Sequence, residues 1–245
     1  MISDGSSDGT IEMISQEVES ISLIEGKGDW WWAGSLQQGY DWIVSHNSDP
    51  DQIALIMNDD TEFEPDFLER GLSILACVDR TLLLATCYDR KNQRLVDAGV
   101  HVDWKRLHFR QASEPGEINC LSTRGLFIRI KDFVEIGGFH PKLLPHYTSD
   151  YEFSTRAYRK GMSLITDPSL RLFVDTESTG FDPCDSDPFF LTLGKLFSKK
   201  SPVNPIVWTC FVALSCPWKW KVQNCLRIWR NAMRQVIRSF HLSDN

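Results

Sequence analysis

The sequence predicts an α/β fold: an α/β/α sandwich with a mixed, mainly parallel sheet, followed by a helical appendage at the C-terminal end. Short apolar runs typical of buried strands alternate with helical patterns over residues 1–184. From residue 185 the composition changes, and an apolar face and a row of basic residues recur at helical spacing. We therefore expect a catalytic or binding domain over residues 1–184 and a basic, helical extension over residues 185–245.

Composition excludes several classes of protein. Of the 245 residues, 42% are hydrophobic and 24% are charged, which is typical of a globular chain with a packed core. The formal net charge of −7 argues against a nucleic-acid binder that relies on a generally basic surface. The cysteines form no Cys-x-x-Cys pair and are odd in number, so they fit neither a zinc ribbon nor a disulfide scaffold. With no signal-peptide pattern at Met1, we expect a cytoplasmic protein with reduced thiols.

The first half of the chain contains a turn cluster and then alternating helices and strands. Small residues and two aspartates over 1–10 predict a turn, with no strand before it. Residues 11–28 predict a helix and then a short strand. An aromatic, glycine-rich segment over 30–39 leads into a helix through Ser45, and the apolar run over 52–57 predicts a buried strand.

The second half repeats this alternation. In chain order the pattern predicts a helix over 65–75, a strand over 82–86, an irregular polar segment over 88–120, a strand over 125–130 with a helix that ends at 137–138, a helix over 150–160 and a short strand over 163–166. Ligands bind at the carboxyl ends of the strands in such sheets, so polar residues that follow apolar runs are the candidates for a site.

Two groups of acids stand out by position. Asn58, Asp59 and Asp60 directly follow an apolar run, and converging acids favour a divalent cation that also binds substrate phosphates. The alternative is a turn that only caps the next helix. Asp150 lies in the first turn of its helix, while Glu152 and Arg156 are spaced as an i,i+4 ion pair. That spacing leaves Asp150 available to a ligand, and the alternative is an ordinary helix cap.

Taken in order, four segments resemble the inverting nucleotide-sugar glycosyltransferases of family 2, which have the GT-A fold. Ser3 to Thr10 matches the family pattern Asp-Asp-Gly-Ser-x-Asp-Gly-Thr, and Asn58-Asp59-Asp60 matches its metal motif. Gly137-Gly138-Phe139 matches its Gly-Gly-Phe turn, and Ser149 to Gly161 matches Glu-Asp-x-Asp-Leu-x-x-Arg-x-x-x-x-Gly. Trp31 to Gly34 is similar to a donor-side segment of the rhamnosyltransferase-like members.

The resemblance implies a role for each matching residue. Asp60 would bind Mn²⁺ or Mg²⁺ at the diphosphate of the donor, and Asp150 would act as the base that deprotonates the acceptor hydroxyl. The remaining implied roles are donor contacts at Asp4, Ser6, Gly34, Asn58 and Asp59, and acceptor contacts at Gly138 and Phe139. The implied substrates are a nucleotide-diphosphate sugar and a glycan or lipid-linked acceptor, with a cell-surface glycan as product.

The departures from the family pattern leave a second function open. Ser3 stands where the family often has Asp, and no counterpart of the family's first strand and helix precedes it, so the resemblance implies a domain truncated at its N-terminus. The alternative function is therefore a non-catalytic, glycosyltransferase-like remnant that acts as a binding or scaffold module. A nucleotidyltransferase is disfavoured, because no early glycine-rich, basic loop is visible.

The tail over residues 215–245 carries six basic residues against one acid and has an apolar face. One interpretation is a peripheral amphipathic helix that holds the protein at the inner face of an anionic membrane. The other is a helix that packs on the preceding domain with its arginines in water. The length of the apolar face favours this second interpretation.

Overall fold

The computed structural model describes residues 1–46, 48–176, 194–199 and 201–243, with side chains to residue 238. The boundary expected between residues 184 and 185 lies outside the described residues. The strands are β1 (Ile2–Asp4), β2 (Ile24–Gly26), β3 (Ile53–Ile56), β4 (Thr61–Phe63), β5 (Thr81–Asp89), β6 (Leu95–Asp97), β7 (Val100–Asp103), β8 (His108–Gln111), β9 (Leu126–Arg129) and β10 (Ser163–Val174). The helices are α1 (Thr10–Glu17), α2 (Trp31–Ser45), α3 (Phe67–Ala76), α4 (Ile130–Ile136), α5 (Ser149–Arg159), α6 (Pro205–Ser215) and α7 (Trp218–Ser243).

A six-stranded mixed sheet forms the centre of the fold. Its order is β3-β9-β5-β10-β4, and β6 pairs with β5 outside that path. The longest ladder, β5 with β10, is parallel, while β9 runs antiparallel to both β3 and β5. Strands β3, β5 and β10 therefore share one direction and end at the same edge. A separate parallel pair, β1 with β2, packs against α2.

The central strand β5 separates two apolar layers. Leu82 and Leu84 face a cluster that contains Phe153 of α5, whereas Leu83 and Ala85 face a cluster that contains Phe67 of α3. This period of two follows from the alternation of side chains along a strand. Helices thus cover both faces of the sheet, and the predicted α/β/α fold with a mixed sheet is confirmed.

The structure differs from the sequence prediction in three segments. Ile2–Asp4 is a strand rather than part of a turn, because it pairs in parallel with Ile24–Gly26. The segment over 88–120 is not irregular: it contains β6 and the β7–β8 hairpin, with Val100 and Val102 buried. Strand β10 continues well beyond residue 166: its pairing with β5 skips residues 168–170 and resumes at Arg171.

Two helices form the C-terminal part of the described chain. Asn204 caps α6, since its Oδ1 accepts from the amides of Ile206 at 2.9 Å and Val207 at 3.3 Å. Helix α6 packs on α5, and α7 packs on α6. No helix among the described residues has the length and apolarity needed to cross a membrane. The described cysteines are free thiols, and Cys184 lies outside the described residues.

Candidate active site at the carboxyl edge of the sheet

The segment over residues 120–125 joins the strand ends at the edge of the sheet. The amide of Gly125 donates to the carbonyl of Ile56 at 2.9 Å, and the amide of Ala85 donates to the carbonyl of Gly125 at 3.0 Å. Gly125 has a φ of +76°, and a Cβ there would lie 2.5 Å from the side chain of Leu172. Only glycine fits this junction, which fixes the segment at the carboxyl end of β3 and beside the middle of β5.

The same segment is tied to two helices. The hydroxyl of Ser154 on α5 accepts from the amide of Leu121 at 2.8 Å. The indole of Trp32 on α2 donates to the hydroxyl of Thr123 at 3.1 Å. The first turn of α5 and the start of α2 are therefore held at the edge where β3 and β5 end.

Asp150 lies at this edge, in the first turn of α5. Its Oδ1 accepts from the amide of Tyr151 at 2.9 Å. The pKa of Asp150 is raised to about 6, mainly by burial. The charge of Asp97 acts in the same direction, while the hydrogen bond from the amide of Tyr151 and the guanidinium of Arg124 oppose the rise. Desolvation exceeds the stabilising contacts, so this carboxylate is a stronger base than an ordinary aspartate. The sequence-predicted base thus has a suitable environment.

Asp97 and Arg124 belong to the same cluster, and the sequence analysis missed both. Asp97, the last residue of β6, accepts from the hydroxyl of Ser122 at 2.7 Å and from the amide of Gly99 at 3.0 Å. Nε of Arg124 is buried and has no hydrogen-bond partner. The only sequence signal was that each residue adjoins a short apolar run, which is too common a pattern to identify a site.

Arg124 also faces a buried thiol. Burial raises the pKa of the Cys87 thiol, and the guanidinium of Arg124 lowers it. The charges of Asp97 and Asp60 act on the same thiol and raise its pKa, which places all these groups near the end of β5. Asp97 and Arg124 thus act on both Asp150 and Cys87, and Asp60 acts on Cys87.

The turn between β3 and β4 carries the predicted metal motif. Asp59 and Asp60 are exposed, and the carbonyl of Asn58 accepts from the hydroxyl of Thr61 at 2.7 Å. Oδ1 of Asn58 is buried without a hydrogen-bond partner. This arrangement leaves a free carboxylate at Asp60 and an unsatisfied amide oxygen close to it in sequence.

A carboxylate and an amide oxygen are donor types that suit a hard cation shared with substrate phosphates. Among the described residues, no three His, Cys, Asp or Glu side chains are grouped so that they could hold a metal ion. Mg²⁺ is commonly bound through one or two carboxylates together with substrate phosphates, and a carboxylate with an amide oxygen is a hard donor set of that kind. The side-chain oxygens of Asp60 and Asn58 are of these two types.

Two predicted donor residues, Asp4 and Ser6, make contacts within the local fold. Both carboxylate oxygens of Asp4 accept from backbone amides, at 2.8 Å from Gly28, 2.8 Å from Trp30 and 3.0 Å from Trp31. Asp4 therefore holds the loop that leads into α2. The hydroxyl of Ser6 accepts from that of Ser3 at 2.8 Å and remains exposed.

Gly34 does not lie in an open donor loop. It is buried inside α2, and a Cβ at this position would lie 2.9 Å from Cβ of Trp30. The glycine is needed for close packing between the helix and the tryptophan that precedes it. A direct donor contact at Gly34 is not supported by this position.

The Gly-Gly-Phe turn is built into the core. Phe139 is only 5% exposed, and its ring stacks on Phe153 at 4.6 Å between centroids. The guanidinium of Arg156 donates to the carbonyl of Gly138 at 2.7 Å and pairs with Glu152 at 2.9 Å. The predicted i,i+4 ion pair is confirmed, and it fixes this turn. The ring of Phe139 offers little surface to an acceptor.

A cleft of about 390 Å³ lies elsewhere, between α5 and α6. Glu152, Arg156 and Arg159 line it from the face of α5 opposite to Asp150, as helical spacing requires. None of the residues predicted to bind the donor or the metal lines this cleft. The candidate site is the open edge around Asp150, Arg124 and Asp60.

Comparison with known proteins supports the fold. No protein-family profile and no curated protein matches the chain. The chain is similar to a solved structure described as "Crystal structure of GalNAc-T7 with UDP, GalNAc and Mn2+", with a TM-score of 0.53 and 11% sequence identity. The match covers 89% of this chain and 45% of the GalNAc-T7 chain, so it spans less than half the length of that protein chain. The chain therefore has a GT-A-like fold.

Proposed function

We propose that the protein transfers a sugar, a hexosyl or rhamnosyl group, from a nucleotide-diphosphate donor to a hydroxyl of a glycan or lipid-linked acceptor. The observation that carries this proposal is Asp150, whose pKa is raised to about 6 beside Arg124 at the carboxyl edge of the sheet. A basic carboxylate next to a guanidinium suits a reaction that deprotonates one group while negative charge develops on another. The similar GalNAc-T7 structure contains UDP, GalNAc and Mn²⁺, which supports this substrate class.

Asp150 acts as the general base in the proposed mechanism. Near neutral pH its carboxylate is mostly ionised, because its pKa is about 6. It accepts the proton of the acceptor hydroxyl while that oxygen forms a bond to the anomeric carbon. The bond between the anomeric carbon and the phosphate oxygen breaks on the opposite side, and the nucleoside diphosphate leaves with both electrons. One displacement inverts the anomeric configuration.

Arg124 binds the diphosphate in this proposal. Its Nε is buried with no hydrogen-bond partner, so it can donate to a phosphate oxygen without losing an existing contact. Asp97, held by Ser122 and the amide of Gly99, adds a fixed negative charge to the same cluster. A divalent cation, Mn²⁺ or Mg²⁺, held by Asp60 and Asn58 would supply further positive charge to the same phosphates.

An assay with purified protein tests the base directly. The chain is incubated with UDP-, GDP- and dTDP-sugars and a glycan acceptor, and the released nucleoside diphosphate is measured. Asp150→Asn should abolish transfer and leave binding of the nucleoside diphosphate unchanged, whereas Glu69→Gln, an exposed acid on α3, should behave as wild type. Proton NMR of the product should show an inverted anomeric configuration. Full turnover by the Asp150 variant would overturn the assignment.

A second function is favoured by one set of contacts. Asp4, Gly34 and Phe139 match family positions for donor or acceptor, yet each is occupied by the local fold. A non-catalytic binding or scaffold module is consistent with those contacts. A folded protein that releases no nucleoside diphosphate from any sugar donor and acceptor pair would favour this alternative.

A further inference from the structure

Helix α7 presents a continuous apolar stripe to solvent. Its members recur at intervals of three or four residues, which places them on one side of the helix. They are exposed by 86% at Trp218, 73% at Val222, 67% at Leu226, 42% at Trp229, 59% at Met233 and 54% at Ile237. Large apolar side chains exposed together over this length mark an interaction surface rather than scattered surface residues.

A different face of α7 already attaches the helix to the protein. Asn224 is fully buried and donates to the carbonyl of Trp104 at 2.8 Å. Ala232 is 7% exposed, and Trp229 lies at the border between this face and the stripe, where its indole donates to the hydroxyl of Thr209 at 3.1 Å. The expectation that the apolar face packs on the preceding domain is therefore wrong for the apolar stripe. The stripe is turned outward while its helix is held in place.

A row of cations runs alongside the apolar stripe. Helical spacing places it next to the stripe, and its exposed members are Lys219, Arg230, Arg234 and Arg238. Arg227 is instead turned toward the body of the protein, where it donates to Oδ1 of Asn224 and to the carbonyl of Lys105 at 3.3 Å. From Trp218 to Ser243 the helix contains no Asp or Glu. The outward surface of α7 thus combines the apolar stripe with positive charges and no negative ones.

We propose that α7 docks the protein on a bilayer that contains anionic phospholipids. The apolar stripe enters the boundary between headgroups and acyl chains, and the row of cations lies against the phosphates. A second copy of the chain is a poorer occupant, because pairing two such helices would bring two rows of like charge together with no acid in the helix to offset them. This inference does not depend on the proposed function, since it concerns binding and not transfer.

Cosedimentation of the full chain with lipid vesicles tests the proposal. Binding should be strong to vesicles of phosphatidylcholine and phosphatidylglycerol, weak to phosphatidylcholine alone, and reduced by salt. Leu226→Ser with Met233→Ser should lower the partition coefficient by about tenfold or more, because two large apolar side chains leave the bilayer. Arg230→Gln with Arg234→Gln should lower it by about fivefold for each arginine, on the anionic vesicles only.

A matched control lies on α3, where Leu68 is 51% exposed and Leu72 is 48% exposed. Leu68→Ser with Leu72→Ser should leave vesicle binding unchanged, and circular dichroism should show every variant folded. The proposal is overturned if the stripe variants bind anionic vesicles as well as wild type does. It is also overturned if sedimentation without lipid shows that the stripe variants dissociate an oligomer while vesicle binding is absent throughout.

Discussion

Neutralising Asp150 should stabilise the folded protein while it abolishes transfer. Burial raises the pKa of this carboxyl from 3.8 to about 6, so the folded state disfavours its ionised form. The unfolded state has no such preference, and ionisation therefore lowers the free energy of unfolding as the pH rises from about 4 to about 6. Above that window the full cost is present, and the difference between the two pKa values corresponds to about 3 kcal/mol. Below it the carboxyl is protonated in both states, and the cost disappears.

Asparagine removes the charge and keeps the shape of the side chain. Its Oδ1 can still accept from the amide of Tyr151, which lies 2.9 Å from Oδ1 of Asp150. We therefore expect Asp150→Asn to raise the Tm by about 6–12 °C at about pH 8. The gain should shrink to nearly zero toward about pH 4. Thermal unfolding of wild type and variant, followed by circular dichroism across this pH range, measures both values.

A control with the opposite sign is available near the N-terminus. Hydrogen bonds from the hydroxyl and amide of Thr10 lower the pKa of Asp8. That contribution to stability is present at neutral pH and is lost as the pH falls through the lowered pKa, so Asp8→Asn should reduce the Tm at neutral pH only. If Asp150→Asn also reduces the Tm at neutral pH, the carboxylate of Asp150 is stabilised in the fold, and its interpretation as a desolvated base is refuted.

Three further predictions concern Arg124, Asp60 and the ion pair between Arg156 and Glu152. Arg124→Gln should weaken binding of UDP or another nucleoside diphosphate by about tenfold or more in calorimetry, because a charge-assisted hydrogen bond is lost; unchanged affinity would remove Arg124 from the donor site. Asp60→Asn should abolish any increase in that affinity caused by Mn²⁺, and an increase that persists would place the cation elsewhere. Arg156→Ala should cost about 3–5 kcal/mol in urea unfolding, because it leaves Glu152 buried without its partner at 4% exposure; Arg159→Ala, which removes a more exposed arginine of α5, should cost much less.

The local pattern of apolar and polar residues was sufficient to predict most helices and strands of this fold. It was not sufficient to predict the shortest strands. Strand β5 was predictable because its residues are buried on both faces and form one apolar run. Strand β1 was not, because it has three residues and its position depends on pairing with β2 across a helix. The hairpin of β7 and β8 was missed for a similar reason, since its alternation is confined to a few residues among polar ones.

The candidate site was predictable only in part for a topological reason. Asp150 and Asp60 each occupy a position that a local pattern marks, the first turn of a helix and the end of an apolar strand. Asp97 and Arg124 reach the same place through the pairing of β6 with β5 and the anchoring of the 120–125 segment. The spacing of residues within either segment does not indicate that Asp97 and Arg124 lie near each other, because their proximity is set by the order of the strands in the sheet.

The polar atoms that the fold leaves available indicate which part of a donor this edge can hold. Both oxygens of Asp4, which resemblance places at the nucleoside, already accept backbone amides. By contrast, Nε of Arg124 and Oδ1 of Asn58 are buried without partners, and the carboxylate of Asp60 is exposed. A buried polar atom without a hydrogen-bond partner lowers the stability of the fold. Such atoms are expected at sites where a bound ligand supplies the missing partner. The available groups suit phosphate oxygens and a cation, so we expect the diphosphate to contribute most of the donor affinity: UDP should bind far more tightly than uridine, and equal affinities would contradict this assignment.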